Sequence, residues 1–389
     1  MKNFRWTPVQ RALIRYRWRM AIIVATLVIA GLIAAVATPY TAPKANTTPF
    51  IDTPTQEETY VRAEIVARND DSGTVRVLDG VQKGSERELY LYSESQRLGT
   101  VVLIPEQAPL EGPSSMITVW RMPWLAALLA VMIVLVVAIG GRQGVLSIAG
   151  LAISVAVVAL YIIPATLSGA DALVASAIGA FVIATIAVMI AHTLRWRTVI
   201  SLASIYIALI LVIGLAVLSG WMASLSGIYD DTSGILNASS STQLDMYGIL
   251  LGGIIIASLG VLDDVVTTQV ATVDELYQTK RSISNRELFT RGMSVGREHL
   301  SALVNTLALA YIGVALPTIL ALSFVIESNS NFLMALNMEY LSVEIIRTAI
   351  ASIGIILAIP LSTGLAVLLV GKKEQIFAIL KRVQYNPRR

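Results

Sequence analysis

The chain of 389 residues carries a formal net charge of +3, yet it is 55% hydrophobic and only 14% charged, with a mean hydropathy of +0.71. An ordinary soluble domain has about a quarter of its residues charged, so the composition excludes that class and makes lipid the solvent to assume. Cysteine is absent, which removes disulfides, thiolate metal sites and a cysteine nucleophile.

Eight apolar runs follow in chain order, at residues 20–38, 123–141, 144–168, 172–193, 198–222, 247–271, 300–326 and 343–371. Several exceed the ~18 apolar residues that read as a membrane-spanning helix. The first follows a basic head, and its Ala35-Val36-Ala37 fits a signal-peptide cleavage site. Its apolar stretch is longer than the ~7–15 residues usual for a signal peptide, so an uncleaved anchor is expected; cleavage would leave seven helices. With the N-terminus in the cytoplasm, 20 of the 29 Lys and Arg fall in cytoplasmic segments. The short external loops around 168–172, 223–246 and 327–341 contain none. That asymmetry is the positive-inside pattern, and it places both termini inside. The basic pI of about 9.0 therefore reports helix orientation rather than nucleic-acid binding.

This organisation divides the chain into a basic N-terminus with the first helix (1–42), an extracytoplasmic segment (43–121), a seven-helix membrane domain (122–371) and a basic cytoplasmic tail (372–389). Segment 43–121 holds eight basic and twelve acidic residues. Its alternating stretches "YVRAEIVAR", "TVRVL" and "ELYLYS", then "GTVVLIP" and "MITVW", read as five strands. Asp70-Asp71-Ser72-Gly73 and Asp79-Gly80 read as turns between them. A small β-rich fold, an oligonucleotide-binding-like barrel or a sandwich, fits that length, and its acidic balance argues against a nucleic-acid ligand. Asn46-Thr47-Thr48 is a formal glycosylation sequon, read as linker.

The sixth run contains the sharpest anomaly, "GVLDDVVTTQV", with Asp263 and Asp264 in an apolar helix. Gly253, Ala257, Gly260, Asp264 and Thr267 recur at helical spacing on one face, whose small residues predict close packing against another helix. A carboxylate at the bilayer centre costs about 2.5–3.5 kcal/mol and is retained for function or tight pairing. The polar series continues through Thr268, Gln269 and Thr272. In the seventh run Ser284-Asn285-Arg286-Glu287 is a capping box, and Glu298, Ser301 or Ala302, and Asn305 repeat on one helical face. Glu298 reads either as a site residue or as the partner of Arg297 or Arg291. In the eighth run Glu344 and Arg347, at i and i+3, read as a structural ion pair. Pro317 and Pro360 interrupt the hydrogen-bond ladders of their helices.

Gly292-Met293-Ser294-Val295-Gly296 matches the G-x-S-x-G nucleophile elbow, which needs a strand before the serine and a histidine in reach. The context here is helical and the chain has only His192 and His299, so the two glycines read as a hinge. "REHLS" is not a zinc-protease motif, "GVQKGS" is not a P-loop, and no enzyme, metal or cofactor is expected.

"GVLDDVVTTQVATVDEL" together with "VGREHLSALVNTLALAYIGVALP" resembles the two signature stretches of the YibE/F-like family of bacterial multi-pass membrane proteins. One helix, a small external domain and then seven helices is similar to the YibE branch. The family's aspartate matches Asp264; Asp263, Glu298 and Ser301 depart from its pattern, which has a non-acidic residue, Asp and Gly there. Proteins of that family are treated as transport permeases, and the family name by itself implies no established activity.

The expectation is thus an α-helical polytopic protein of the bacterial cytoplasmic membrane, with about eight transmembrane helices and a β-rich extracytoplasmic domain between the first two. It would act as a transporter or permease. Asp263, Asp264, Thr267, Thr268, Glu298 and Asn305 would bind a proton, a cation or a cationic group between the sixth and seventh helices. The alternative is a non-transporting envelope assembly factor or scaffold whose external domain recruits a partner. Expected partners are the bilayer, a small-molecule, ion or lipid substrate, and a second copy or a related YibF-like subunit through faces such as Gly248-x-x-x-Gly252.

The absence of native cysteine makes the topology directly testable. Single cysteines at Ser95 and Ser240 react with an impermeant thiol reagent on intact cells, and cysteines at Gln143 and Ser282 react only after the membrane is breached. Outside labelling of Ser282→Cys would overturn the arrangement.

Overall fold

The computed structural model describes residues 59–69, 72–90, 97–106, 118–192, 196–239, 244–327 and 332–372. The first apolar run with its cleavage site, the sequon at Asn46 and the basic tail after Lys372 lie outside these residues. The chain divides into two compact units, residues 1–149 and 150–389.

In the first unit, β1 (Tyr60–Arg68), β2 (Ser72–Val77), β3 (Glu86–Tyr90), β4 (Val101–Pro105) and β5 (Thr118–Val119) form one antiparallel sheet in the order β3-β2-β1-β4-β5. The period of two puts Val61, Ala63 and Ile65 of β1 on one face, where they share a core with Val75, Val77, Leu89, Val102 and Ile104. Buried Arg87 of β3 donates to the carbonyls of Pro105 at 3.0 Å and Glu106 at 2.7 Å, at the end of β4. Two strands separate β3 from β4 in the sheet, so a flat sheet would hold them about 14 Å apart. The sheet therefore curls. Arg62 fixes the turn after β2 through Asp79, donating from Nε at 2.5 Å and Nη2 at 3.0 Å. The hydrogen bond from Arg62 holds the Asp79 carboxyl below its usual range.

The runs at 123–141 and 144–168 occupy a single stretch, Met122–Leu167. It consists of α1 (Met122–Val157), a π-helical turn (Val158–Ile162) and α2 (Ile163–Leu167). Gly141 breaks α1 with φ 53° and ψ −130°, backbone that a residue with a Cβ adopts only under strain. A Cβ on Gly144 would stand 2.1 Å from the Val136 carbonyl oxygen. In a straight helix those residues are about 12 Å apart along the axis, so the chain folds back at this glycine.

The second unit continues with α3 (Ala172–His192), α4 (Trp196–Met222), α5 (Asp231–Ser239), α6 (Met246–Thr279), α7 (Asn285–Glu327), α8 (Phe332–Leu336) and α9 (Glu339–Val370). Six stretches among the described residues are long and apolar enough to cross a membrane: Met122–Leu167, Ala172–Ile190, Trp196–Met222, Met246–Thr279, Asn285–Pro317 and Glu339–Val370. The expectation was eight; one run lies outside the described residues and two are joined through Gly141.

Helix α6 is the axis of this unit, touched by α3, α4, α7 and α9. Its Leu251, Ile254, Ile255, Leu259, Leu262 and Val266 are buried with Ile205, Leu209 and Val212 of α4 and Ile350 and Ala358 of α9. Small residues set the closest approaches. A Cβ on Gly252 would lie 2.2 Å from Ser176 Oγ, and one on Gly248 would lie 3.0 Å from the Leu173 nitrogen. Gly248-x-x-x-Gly252, expected to admit a second subunit, is thus filled by α3 of the same chain.

Ser284 Oγ accepts from the Glu287 amide at 3.2 Å, capping α7. The prolines expected to interrupt their helices do not end them: α7 runs through Pro317 and α9 through Pro360. The hinge expected at Gly292 and Gly296 is likewise absent. A Cβ on Gly296 would meet Ile359 Cγ2 at 2.6 Å and Gln269 Nε2 at 3.1 Å, and one on Gly292 would meet Thr363 Cγ2 at 3.0 Å. These glycines are where α7 comes closest to α6 and α9. Gly296→Leu should force α7 away and cost about 1–3 kcal/mol by overpacking. The check is thermal unfolding in detergent, where an unchanged midpoint would contradict the close approach.

Candidate functional site

Polar residues of α6 fall into two sets, according to whether another helix covers them. The first set is buried and paired. Gln269 donates from Nε2 to the Gly292 carbonyl of α7 and to Thr363 Oγ1 of α9, both at 2.8 Å. One amide thus ties three helices, and Thr363 passes its own proton to the Ile359 carbonyl at 2.7 Å. A turn and a half further on, Asp274 is 1% exposed. It accepts from Arg197 Nε at 2.5 Å and from Gln278 Nε2 at 2.6 Å, while Arg197 Nη2 also reaches Glu275 at 3.0 Å. This cluster joins the start of α4 to the end of α6. At the opposite end Glu339, first residue of α9, accepts from the Ser226 and Gly227 amides at 2.6 and 2.9 Å and from Ser226 Oγ at 2.8 Å. Gly227 has φ +82° there, and a Cβ on it would meet the Met246 carbonyl oxygen at 2.3 Å.

The second set is left open. Gly253, Gly260, Asp264 and Thr268 are exposed, Thr267 is half-buried, and a Cβ on Gly253 or Gly260 would meet nothing within 4 Å. The expected packing of the small-residue face around Asp264 is therefore corrected: the covered face is the one carrying Leu251, Ile255, Leu262, Val266 and Gln269. Larger side chains bury more apolar area, so they take the contact, and the glycine stripe remains. Asp263, beside the stripe, is half-buried, and its Oδ1 is buried with no hydrogen-bond partner among the described residues. The threonine hydroxyls turn to helix carbonyls: Thr267 Oγ1 donates to Asp264 at 3.3 Å, and Thr272 Oγ1 to Thr268 at 2.9 Å.

On α7, Glu298 and Asn305 are both exposed and lie two turns apart on one open face. Among the described residues neither has a hydrogen bond or ion pair, to the aspartates or elsewhere; Arg291 is engaged by Glu287 at 2.8 Å. Besides the Gln269 bond, helices α6 and α7 meet through an apolar cluster of Val265, Ile355 and Ile359 with Val261, Met293, Leu300 and Leu303. Glu344 and Arg347 pair on α9 at 2.7 Å, each about one-fifth exposed. Among the described residues no group of three or more His, Asp or Glu could hold a metal ion.

A family model described as YibE/F-like protein matches residues 128–372, from within α1 to just past α9. The chain belongs to the YibE/F-like family. No curated protein and no solved structure matches it. The match covers the helices of this YibE/F-like protein, including both aspartates, Glu298 and the Gln269 network, and leaves the β-sheet outside.

Sequence reading of this YibE/F-like protein missed the Gln269 and Asp274 roles. Asp274 lies in "TVDEL", which reads as the polar end of a helix, and its partner Arg197 is 77 residues away. The available signal was Gln269 opposite the Gly292/Gly296 pair. Asp274→Asn should weaken the Arg197 pair and lower stability by on the order of 3 kcal/mol. Glu275→Gln, on a 70% exposed side chain, should change it by about 0.5 kcal/mol or less. Equal melting temperatures for the two variants in detergent would refute the distinction.

Proposed function

We propose that this YibE/F-like protein is a multi-pass transporter of the bacterial cytoplasmic membrane, with both termini cytoplasmic. Its acidic stripe on α6 takes a proton, a cation or a cationic group. The observation that carries this reading is the open face of Gly253, Gly260, Asp264 and Thr268 on an apolar helix of spanning length. A carboxylate in a span costs about 2.5–3.5 kcal/mol against lipid, so such a face belongs against water, a bound ion or another protein surface. Asp263 adds a buried oxygen with an unused acceptor site. Glu298 and Asn305 form a second open polar face on the adjoining helix, and Thr267 and Thr268 supply neutral oxygens. The chain carries no P-loop, so an ion gradient or another subunit would drive movement.

A non-transporting assembly factor is the competing reading, favoured by the β-sheet that lies outside the family match. In that case the open stripe is a docking face and its charge is dispensable.

Asp264→Asn separates the two, since it keeps size and hydrogen-bonding capacity while removing charge. The transporter reading expects a protein of unchanged melting temperature that fails to complement a deletion strain, with Glu298→Gln intermediate and Asp263→Asn milder. Full complementation by a stable Asp264→Asn protein would remove Asp264 from the mechanism.

A further inference from the structure

Glu344 and Arg347, paired on α9, line two different cavities. One, of about 400 Å³, lies between α7 and α9 and is lined by Tyr311, Ala315, Ile345 and Glu344. The other, of about 270 Å³, lies under the start of α5 and is lined by Tyr229, Asp230, Ser233, Ile249, Gly253 and Arg347. Each partner thus faces a different space. The pairing is single: Arg347 Nη1 donates to Glu344 Oε1 at 2.7 Å. Glu344 Oε2 and Arg347 Nε are buried and have no hydrogen-bond partner among the described residues. A guanidinium carries five donors in a fork that fits a carboxylate through two parallel bonds, so this one keeps unused capacity.

Gly253 connects this cavity to the acidic stripe. Eleven residues separate it from Asp264, which at 100° per residue is three full turns and 20°, so both lie on one face about 16 Å apart. A Cβ on Gly253 meets nothing within 4 Å, leaving that end of the stripe open to the space beside Arg347. The other charged residue in the lining, Asp230, is engaged at the start of α5, where its Oδ1 accepts from the Ser233 amide at 2.7 Å. Tyr311 of α7 lines the other cavity together with Glu344. Arg347 is the cationic group of the lining.

We propose that Arg347 is a binding station for a small carboxylate-like anionic group entering through the cavity beside Gly253, with Glu344 as the internal competitor that holds the guanidinium when the cavity is empty. The site deepens the transport reading by adding a cationic station on α9, beside the face of α6 that carries Gly253 and Asp264. A substrate bearing both charges would then meet a complementary group at each end. Glu344 serves as a stand-in for the ligand's carboxylate.

The test uses the purified full chain carrying Gly253→Cys, for which there is room, and compares anionic with cationic methanethiosulfonate reagents of similar size. Relative to a free thiol, the anionic reagent should be favoured about twofold, since Asp230 in the same lining offsets part of the Arg347 field. Glu344→Gln should raise that preference, Arg347→Gln should abolish it, and excess acetate should slow labelling only while Arg347 is present. If Arg347→Gln does not fold, the Glu344→Gln comparison and acetate protection decide alone. A free-thiol ratio unmoved by Glu344→Gln, or an unreactive cysteine, would overturn the proposal. Labelling needs no transport, so its result is independent of the Asp264→Asn outcome.

Discussion

The helical unit depends on one constraint, that α6 runs through its middle with four helices packed around it. A polar side chain on a covered face of that helix is costly to bury unless it bonds to a neighbour. Gln269 bonds in this way. By donating to α7 and α9 at once it fixes where three helices cross, and Gly292 and Gly296 are small because those crossings leave no room for a Cβ. Asp274 and Arg197 do the same at one end of α6, and Glu339 with the Ser226–Gly227 amides ties α9 to the loop after α4 at the other.

The same constraint gives the acidic stripe its significance. Two helix faces compete for burial, and the one rich in Leu, Ile and Val wins because it removes more apolar area from the surface. Glycine and aspartate are left on the losing face. Within a membrane that outcome is unusual, since a carboxylate is costly to expose to lipid. Asp263 and Asp264 illustrate how much one residue of rotation matters: about 100° around the helix separates a half-buried oxygen from an exposed carboxylate. Gly253, at one end of the stripe, lines a cavity together with Arg347 and Asp230.

In the first unit the limiting factor is size. A sheet of five short strands buries a small core, and it adds polar staples to the apolar ones. Arg87 reaches across the curled sheet to the end of β4, and Arg62 holds the turn at Asp79. Depressed by its arginine, the Asp79 carboxyl contributes stability above its unfolded pKa, which is lost as pH falls through the folded value.

The sequence by itself determined what depends on local pattern. Hydropathy over spans of about twenty residues, alternation in "YVRAEIVAR", the capping box at Ser284 and the i, i+3 spacing of Glu344 and Arg347 are all set by neighbours along the chain. The two signature stretches likewise carried the family. What only the tertiary structure decided was which face of each helix is covered, because that follows from competition among residues far apart in sequence. Periodicity grouped Gly253, Gly260 and Asp264 correctly but could not say whether a partner helix fills the groove they form. It could not pair Asp274 with Arg197, nor show that Gly292 and Gly296 mark a close crossing rather than a hinge. Nor could it reveal that α3 occupies Gly248 and Gly252. A helix's sequence fixes its stripes, and the area each stripe can bury against its neighbours fixes which one is left open.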